Sequence, residues 1–187
     1  MTHESFLSRR SLLAGAAASA ALLSMHDAIA QSSSAGNWLA MVKVHHAMVM
    51  KTLDEMLDAN NRTFLRRERM HLALHYQLTA HSVAEENVLY PAIARTLQMS
   101  DADKLYLDQA HAKVMDAELA MLSAQQETEW FDKLRALKAA LQQHATGDEE
   151  GRLYPELQGK LDAATNRMLA TAYQAEFATV GKRRKLG

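Results

Sequence analysis

Apolar residues recur at helical spacing along most of the chain. Leu39, Val42, His46, Val49, Met50, Leu53 and Leu57 form one stripe, which stops at the turn signal Asn60-Asn61. This predicts a first helix of about twenty residues. Leu74, Leu78, His81, Glu85 and Val88 share a second stripe, and Pro91 is expected to kink or break that helix. Ser100-Asp-Ala-Asp103 offers an N-cap and early acids for a third helix, on which Leu107, His111, Val114, Met115, Glu118 and Leu122 read as one face. Thr128 is the expected cap of a fourth, which carries Phe131, Leu134, Leu137, Leu141 and His144. Leu157 to Phe177 reads as a further helix packed along the outside. Four consecutive helices with short joins predict an all-α fold, an up-down-up-down four-helix bundle with an additional C-terminal helix.

Composition supports that class. The chain has 187 residues, enough for one domain with a sizeable core, and few glycines or prolines. A net charge of −1 argues against a nucleic-acid partner, and the basic run Lys182-Arg183-Arg184-Lys185 reads as a solvated terminus. Cysteine is absent, so any metal must be held by nitrogen and oxygen. Residues 1–30 have the layout of a cleaved export signal, with Arg9-Arg10, an apolar run from Leu12 to Leu23, and Ala28-Ile29-Ala30 at the expected cleavage point. Ser8-Arg9-Arg10-Ser11-Leu12-Leu13 resembles the bacterial twin-arginine signal, which implies a periplasmic protein exported already folded, with no stable membrane insertion after cleavage. The mature chain then divides into a linker (31–36), a metal-binding bundle (37–160), and a C-terminal helix with its basic tail (161–187).

The chemistry lies in a duplicated string. His81-Ser-Val-Ala-Glu85-Glu86-Asn-Val-Leu-Tyr90-Pro91 is answered by His144-Ala-Thr-Gly-Asp148-Glu149-Glu150-Gly-Arg-Leu-Tyr154-Pro155. A structural helix needs only a repeated apolar period, whereas Glu-Glu-x-x-Leu-Tyr-Pro is repeated letter for letter. His46 precedes the first string and His111 the second, so each half reads as a helical hairpin, and six side chains can converge: His46, His81, Glu85, His111, His144 and Glu149. His46 is preferred over His45 because it shares the apolar stripe. His81 and Glu85, four apart, share a helix face. Glu149 lies five residues after His144, which on a regular helix turns the two apart by about 140°. A π-bulge or break near Gly147 would restore the alignment, and Asp148 is the competing ligand. Mixed imidazole and carboxylate donors suit iron, with manganese or zinc possible. His71 and His75, also four apart, read as ordinary helix surface, as do Glu86 and Glu150.

These residues resemble the hemerythrin-like, HHE cation-binding family over about residues 37–160. The resemblance implies a four-helix bundle with a non-haem di-iron centre, two Fe ions bridged by the two acids, and a small ligand such as dioxygen or a related oxidant. Met115 stands where the oxygen-carrying members have a fifth histidine. That departure points to binding, sensing or buffering in the broader family, with a di-iron oxidase, a peroxide- or nitric-oxide-consuming enzyme, or an iron-storage module as alternatives.

Overall fold

The computed structural model describes residues 36–61 and 63–183, so the expected export signal, the linker up to Ala35 and the end of the basic tail lie outside the described residues. Every regular element among the described residues is helical. They are α1 (Trp38–Leu57), a 3₁₀ turn (Ala59–Asn61), α2 (Phe64–Ala84), α3 (Tyr90–Thr96), α4 (Met99–Ala120), α5 (Glu127–Gln142), α6 (Tyr154–Lys160) and α7 (Ala163–Arg183). Two π-helical stretches, Glu85–Leu89 and Gln143–Leu153, run directly from α2 into α3 and from α5 into α6. The seven segments therefore make five rods. None is long and apolar enough to cross a membrane.

Local chemistry explains the ends. The Asn37 side chain accepts from the Ala40 amide and caps α1, and Asp162 accepts from the Thr165 amide at the start of α7. The expected caps of the third and fourth helices are displaced: α4 begins at Met99, before Ser100, and α5 begins at Glu127, before Thr128. Pro91 does not end its helix. It lies inside a continuous rod, where the backbone widens just before it so that the Tyr90 amide reaches the Glu85 carbonyl five residues back, and the Glu86 carbonyl, five residues before Pro91, accepts from the Tyr106 hydroxyl at 2.7 Å instead. The second string repeats this, with the Tyr154 amide on the Glu149 carbonyl.

The apolar core is in two parts. The first contains Trp38, Val42, Ala84, Leu89, Leu105 and Tyr154, and the second contains Val49, Leu53, Leu78, Ala112, Leu134 and Leu141. On four of the five rods polar residues lie between these two parts: His45 and His46 on α1, His81 at the end of α2, Gln109 on α4, and His144 with Glu149 beyond α5. Two expectations change here. Helix α7 does not lie outside the core, because Ala170, Tyr173 and Phe177 are buried in its first part. Helix α4 is rotated from the expected face. Leu107 is 70% exposed and Val114 56%, while the buried side is Ala102, Leu105, Gln109, Ala112, Asp116 and Leu119.

Two glycines in the second π-helix have different standing. A Cβ on Gly151 would lie 2.7 Å from the Thr146 backbone carbonyl, whereas one on Gly147 would meet only the side chain of Gln143, which can move aside. Gly151, not Gly147, is the residue that the wide turn requires. Gly151→Ala is therefore expected to lower the melting temperature by several degrees, corresponding to about 1–3 kcal/mol. Gly147→Ala should be neutral or slightly stabilising, since alanine favours helix by about 1 kcal/mol. Thermal unfolding followed by circular dichroism checks both.

Candidate metal centre

Glu85 and Glu149 are fully buried, side by side in the polar layer. One tyrosine hydroxyl, that of Tyr154, lies 2.6 Å from Oε1 of both. Tyr90 lies across the pair, its hydroxyl 2.9 Å from Glu149 Oε1 and 3.3 Å from Glu85 Oε2. The tyrosines are supplied by the repeated Leu-Tyr-Pro, five residues beyond each acid, and the π-turns place them back over the acids. Burial, reinforced by the two carboxylates, holds both phenols well above their usual range, so they remain protonated donors.

Three imidazoles close on the acids in one recurring way. His46 turns Nε2 inward, 3.2 Å from Glu149 Oε2 and 3.7 Å from Glu85 Oε1, while Glu150 holds its Nδ1 at 2.6 Å. His81 turns Nε2 to Glu85 Oε2 at 3.0 Å, and the Tyr173 hydroxyl holds its Nδ1 at 3.1 Å. His144 turns Nε2 to Glu149 Oε1 at 3.2 Å, and Asp108 lies 3.4 Å from its Nδ1. In each ring the outer nitrogen is engaged from outside and the inner one faces the carboxylates, which is the way metal-ligating histidines are oriented.

His46, His81, Glu85 and Glu149 bring ligand atoms within 4.8 Å of one another, close enough for one ion to touch all four. Two inward atoms, His46 Nε2 and Glu149 Oε2, are buried with no hydrogen-bond partner although they face each other. Such a pair costs stability unless a cation sits against both. Without metal, protons supply the compensating charge. Burial opposes charging His46, yet the carboxylates around it, Glu149, Glu150 and Glu85, raise it well above its usual value. Burial likewise opposes His144, but the Glu149 charge and hydrogen bond carry it to about 9. Burial alone would raise Glu85, but the His81 charge and the nearby His46 hold it well below its normal value. Burial and the Glu85 charge push Glu149 up, and His144 with His46 outweigh them. A divalent cation between the acids would take over the role of these protons.

His111 does not join the cluster. It is exposed on α4, and Gln109, two residues earlier and on the opposite side of the helix, occupies the interior. Gln109 Nε2 donates to Glu85 Oε2 at 2.7 Å and to the Tyr90 hydroxyl at 3.0 Å, and its carbonyl accepts from Ser82 at 2.7 Å. The third-helix histidine was expected from a face of which Leu107, His111, Val114 and Glu118 are turned to solvent, while Leu122 packs at the edge of the core. Met115 packs against the second part of the core.

Both histidines of the His45-His46 pair are buried, on different sides of α1. His45 stacks on Phe177 with ring centres 3.7 Å apart and bonds Tyr173 at 2.9 Å, and burial followed by the charges of His81 and His46 lowers it to about 3. Glu150 was expected on a solvated face and instead anchors His46, while Glu86 pairs with Lys113. Asp148 pairs with Lys104 at 2.8 Å, away from the acids. Gln109, Tyr173 and Asp108 lacked a sequence signal of their own, since their roles come from partners on other helices, whereas Glu150 lay within the repeated string. Metal analysis of purified variants distinguishes the two neighbouring acids: Glu149→Ala should lose half or more of the bound metal, and Asp148→Ala should retain it.

No protein-family model matches the chain, and no solved structure matches it. A curated relative, a DNA nickase of Nostoc sp. (strain PCC 7120 / SAG 25.82 / UTEX 2576), is 27% identical over 110 residues, 59% of this chain. The aligned stretch is 31% of that protein, so the chain spans less than a third of its length.

Proposed function

We propose that this is an exported metalloprotein in which the five converging residues His46, His81, Glu85, His144 and Glu149 hold a non-haem di-iron centre that binds dioxygen or a related small oxidant. The observation that carries this reading is the orientation of the three imidazoles, each anchored at Nδ1 and aimed at the paired acids with Nε2. The rods that supply these residues are read as the four members of an up-down-up-down bundle, with α7 added against it. The doubled string and the twin-arginine-like start support the family resemblance and the periplasmic location. With His111 outside the cluster, the third-helix donor is replaced by the Gln109 amide, which orients Glu85 and leaves a place for a small ligand.

The surroundings suit a diatomic guest. A pocket of about 10 Å³ lies against His46, His81, His144 and Gln109, with Val49, Leu78 and Leu141 among its walls. That is room for about one water-sized molecule. Bound iron would supply the electrons and open coordination positions that such a ligand needs. The protein's residues do the rest: Glu85 and Glu149 neutralise the ions, Gln109 and the two tyrosines orient the acids and can donate hydrogen bonds, and the apolar walls limit water.

A second reading, nicking of DNA at this site, comes from the relative's name. The full burial of both acids and the size of the pocket weigh against it, because a phosphodiester has no route to them. The mature protein, purified without oxygen, should contain about two irons per chain and develop a charge-transfer band in air. Loss of that band on deoxygenation supports reversible binding, and sustained consumption of oxygen or peroxide supports turnover. Zinc alone or no metal would overturn the di-iron reading. Supercoiled plasmid should remain intact with the wild-type protein, and nicking that disappears in Glu85→Ala would establish the nuclease.

A further inference from the structure

Asp116 is buried on the inner face of α4, and two imidazoles from α2 close on its two oxygens. His71 Nε2 lies 2.8 Å from Oδ1 and His75 Nδ1 lies 2.6 Å from Oδ2. His71 and His75 are four apart on one helix and so project from the same side. Nothing in the proposed centre accounts for this group. Its carboxylate is pushed up by burial, but the hydrogen bonds from the two histidines outweigh that and hold it below its usual value, so it is ionised. Beside it lies a cavity of about 80 Å³, whose walls include His75, Thr79, Ser82, Lys113 and Asp116. The group thus has two imidazoles, one carboxylate and open space on one side.

We propose that His71, His75 and Asp116 form a second metal site, for a single divalent first-row transition ion such as zinc, cobalt or iron(II), with its remaining coordination positions open to the cavity. The donor set is borderline in softness, which selects these ions over calcium or magnesium. The two helical histidines chelate from one element and Asp116 supplies the negative charge from the other, so the ion would clamp α2 to α4. Each imidazole offers the nitrogen it now turns to Asp116. The proton on that nitrogen moves through solvent to the other ring nitrogen, or leaves if the ring is charged. Asp116 exchanges two N–H contacts for the ion, and the nitrogens draw together around it. Ser82 and Gln109 also line this cavity, and hydrogen bonds of 2.7 Å each run from Ser82 to Gln109 and from Gln109 to Glu85.

The site stands apart from the di-iron reading and is tested separately. The full mature chain is stripped with chelator and titrated with Co²⁺, following visible absorption, and the Zn²⁺ content after dialysis is measured in parallel. His75 is the variant of choice because its side chain is 55% exposed and its loss leaves the core intact. Wild type should take up one ion more than His75→Ala, and the melting temperature of the two in chelator should agree within a few degrees. In the Glu149→Ala background one Co²⁺ should still bind, and adding Asp116→Asn or His75→Ala should weaken it more than about tenfold. Equal uptake by wild type and His75→Ala overturns the proposal, as does a folded Glu149→Ala protein that binds no ion.

Discussion

Two carboxylates buried without any contact with water dominate this protein. Ionised acids in a core demand opposite charge and hydrogen bonds, and either one left alone would cost several kcal/mol. The surrounding structure meets most of that demand, leaving Glu149 Oε2 and His46 Nε2 face to face without a hydrogen-bond partner. Three helices bring imidazoles, a fourth brings an amide, and the repeated Leu-Tyr-Pro brings a hydroxyl over each acid. The apolar core is divided by this polar layer, with large side chains on either side of it. Because the layer is satisfied only when all its contributors are in register, it fixes how the helices sit along one another as well as what they can bind.

The π-turns are the backbone's part of that arrangement. A regular helix could not carry His144 and Glu149, five apart, on one side, and the wide turn that allows it depends on the absence of a Cβ at Gly151. The first string has His81 and Glu85 at the ordinary spacing and still widens just before Pro91, which returns Tyr90 to the acids. The two copies therefore reach the same constellation through different histidine spacing, and share the tyrosine placement.

The duplicated string made much of the site legible. His81, Glu85, His144 and Glu149 converge, and the apolar stripe of α1 picked out His46 over His45. Helix α4 was misread because its buried side holds Gln109, Asp116 and two alanines, while Leu107 and Val114 face solvent. Apolar periodicity there pointed to the wrong face and with it to His111. Tyr173 and Glu150 could not be found from periodicity, since each acts on a histidine of another helix. The same holds for His71 and His75, whose meaning changed only when the fold placed Asp116 between them.

The central claim is that the paired acids and the three inward-facing imidazoles hold metal. Diffraction from crystals of the iron-loaded protein, recorded on both sides of the iron absorption edge, tests it most directly. The account predicts anomalous density between Glu85 and Glu149, within bonding distance of the Nε2 atoms of His46, His81 and His144. Stoichiometric iron in solution with no such density at the acids, or density only elsewhere on the molecule, would contradict it.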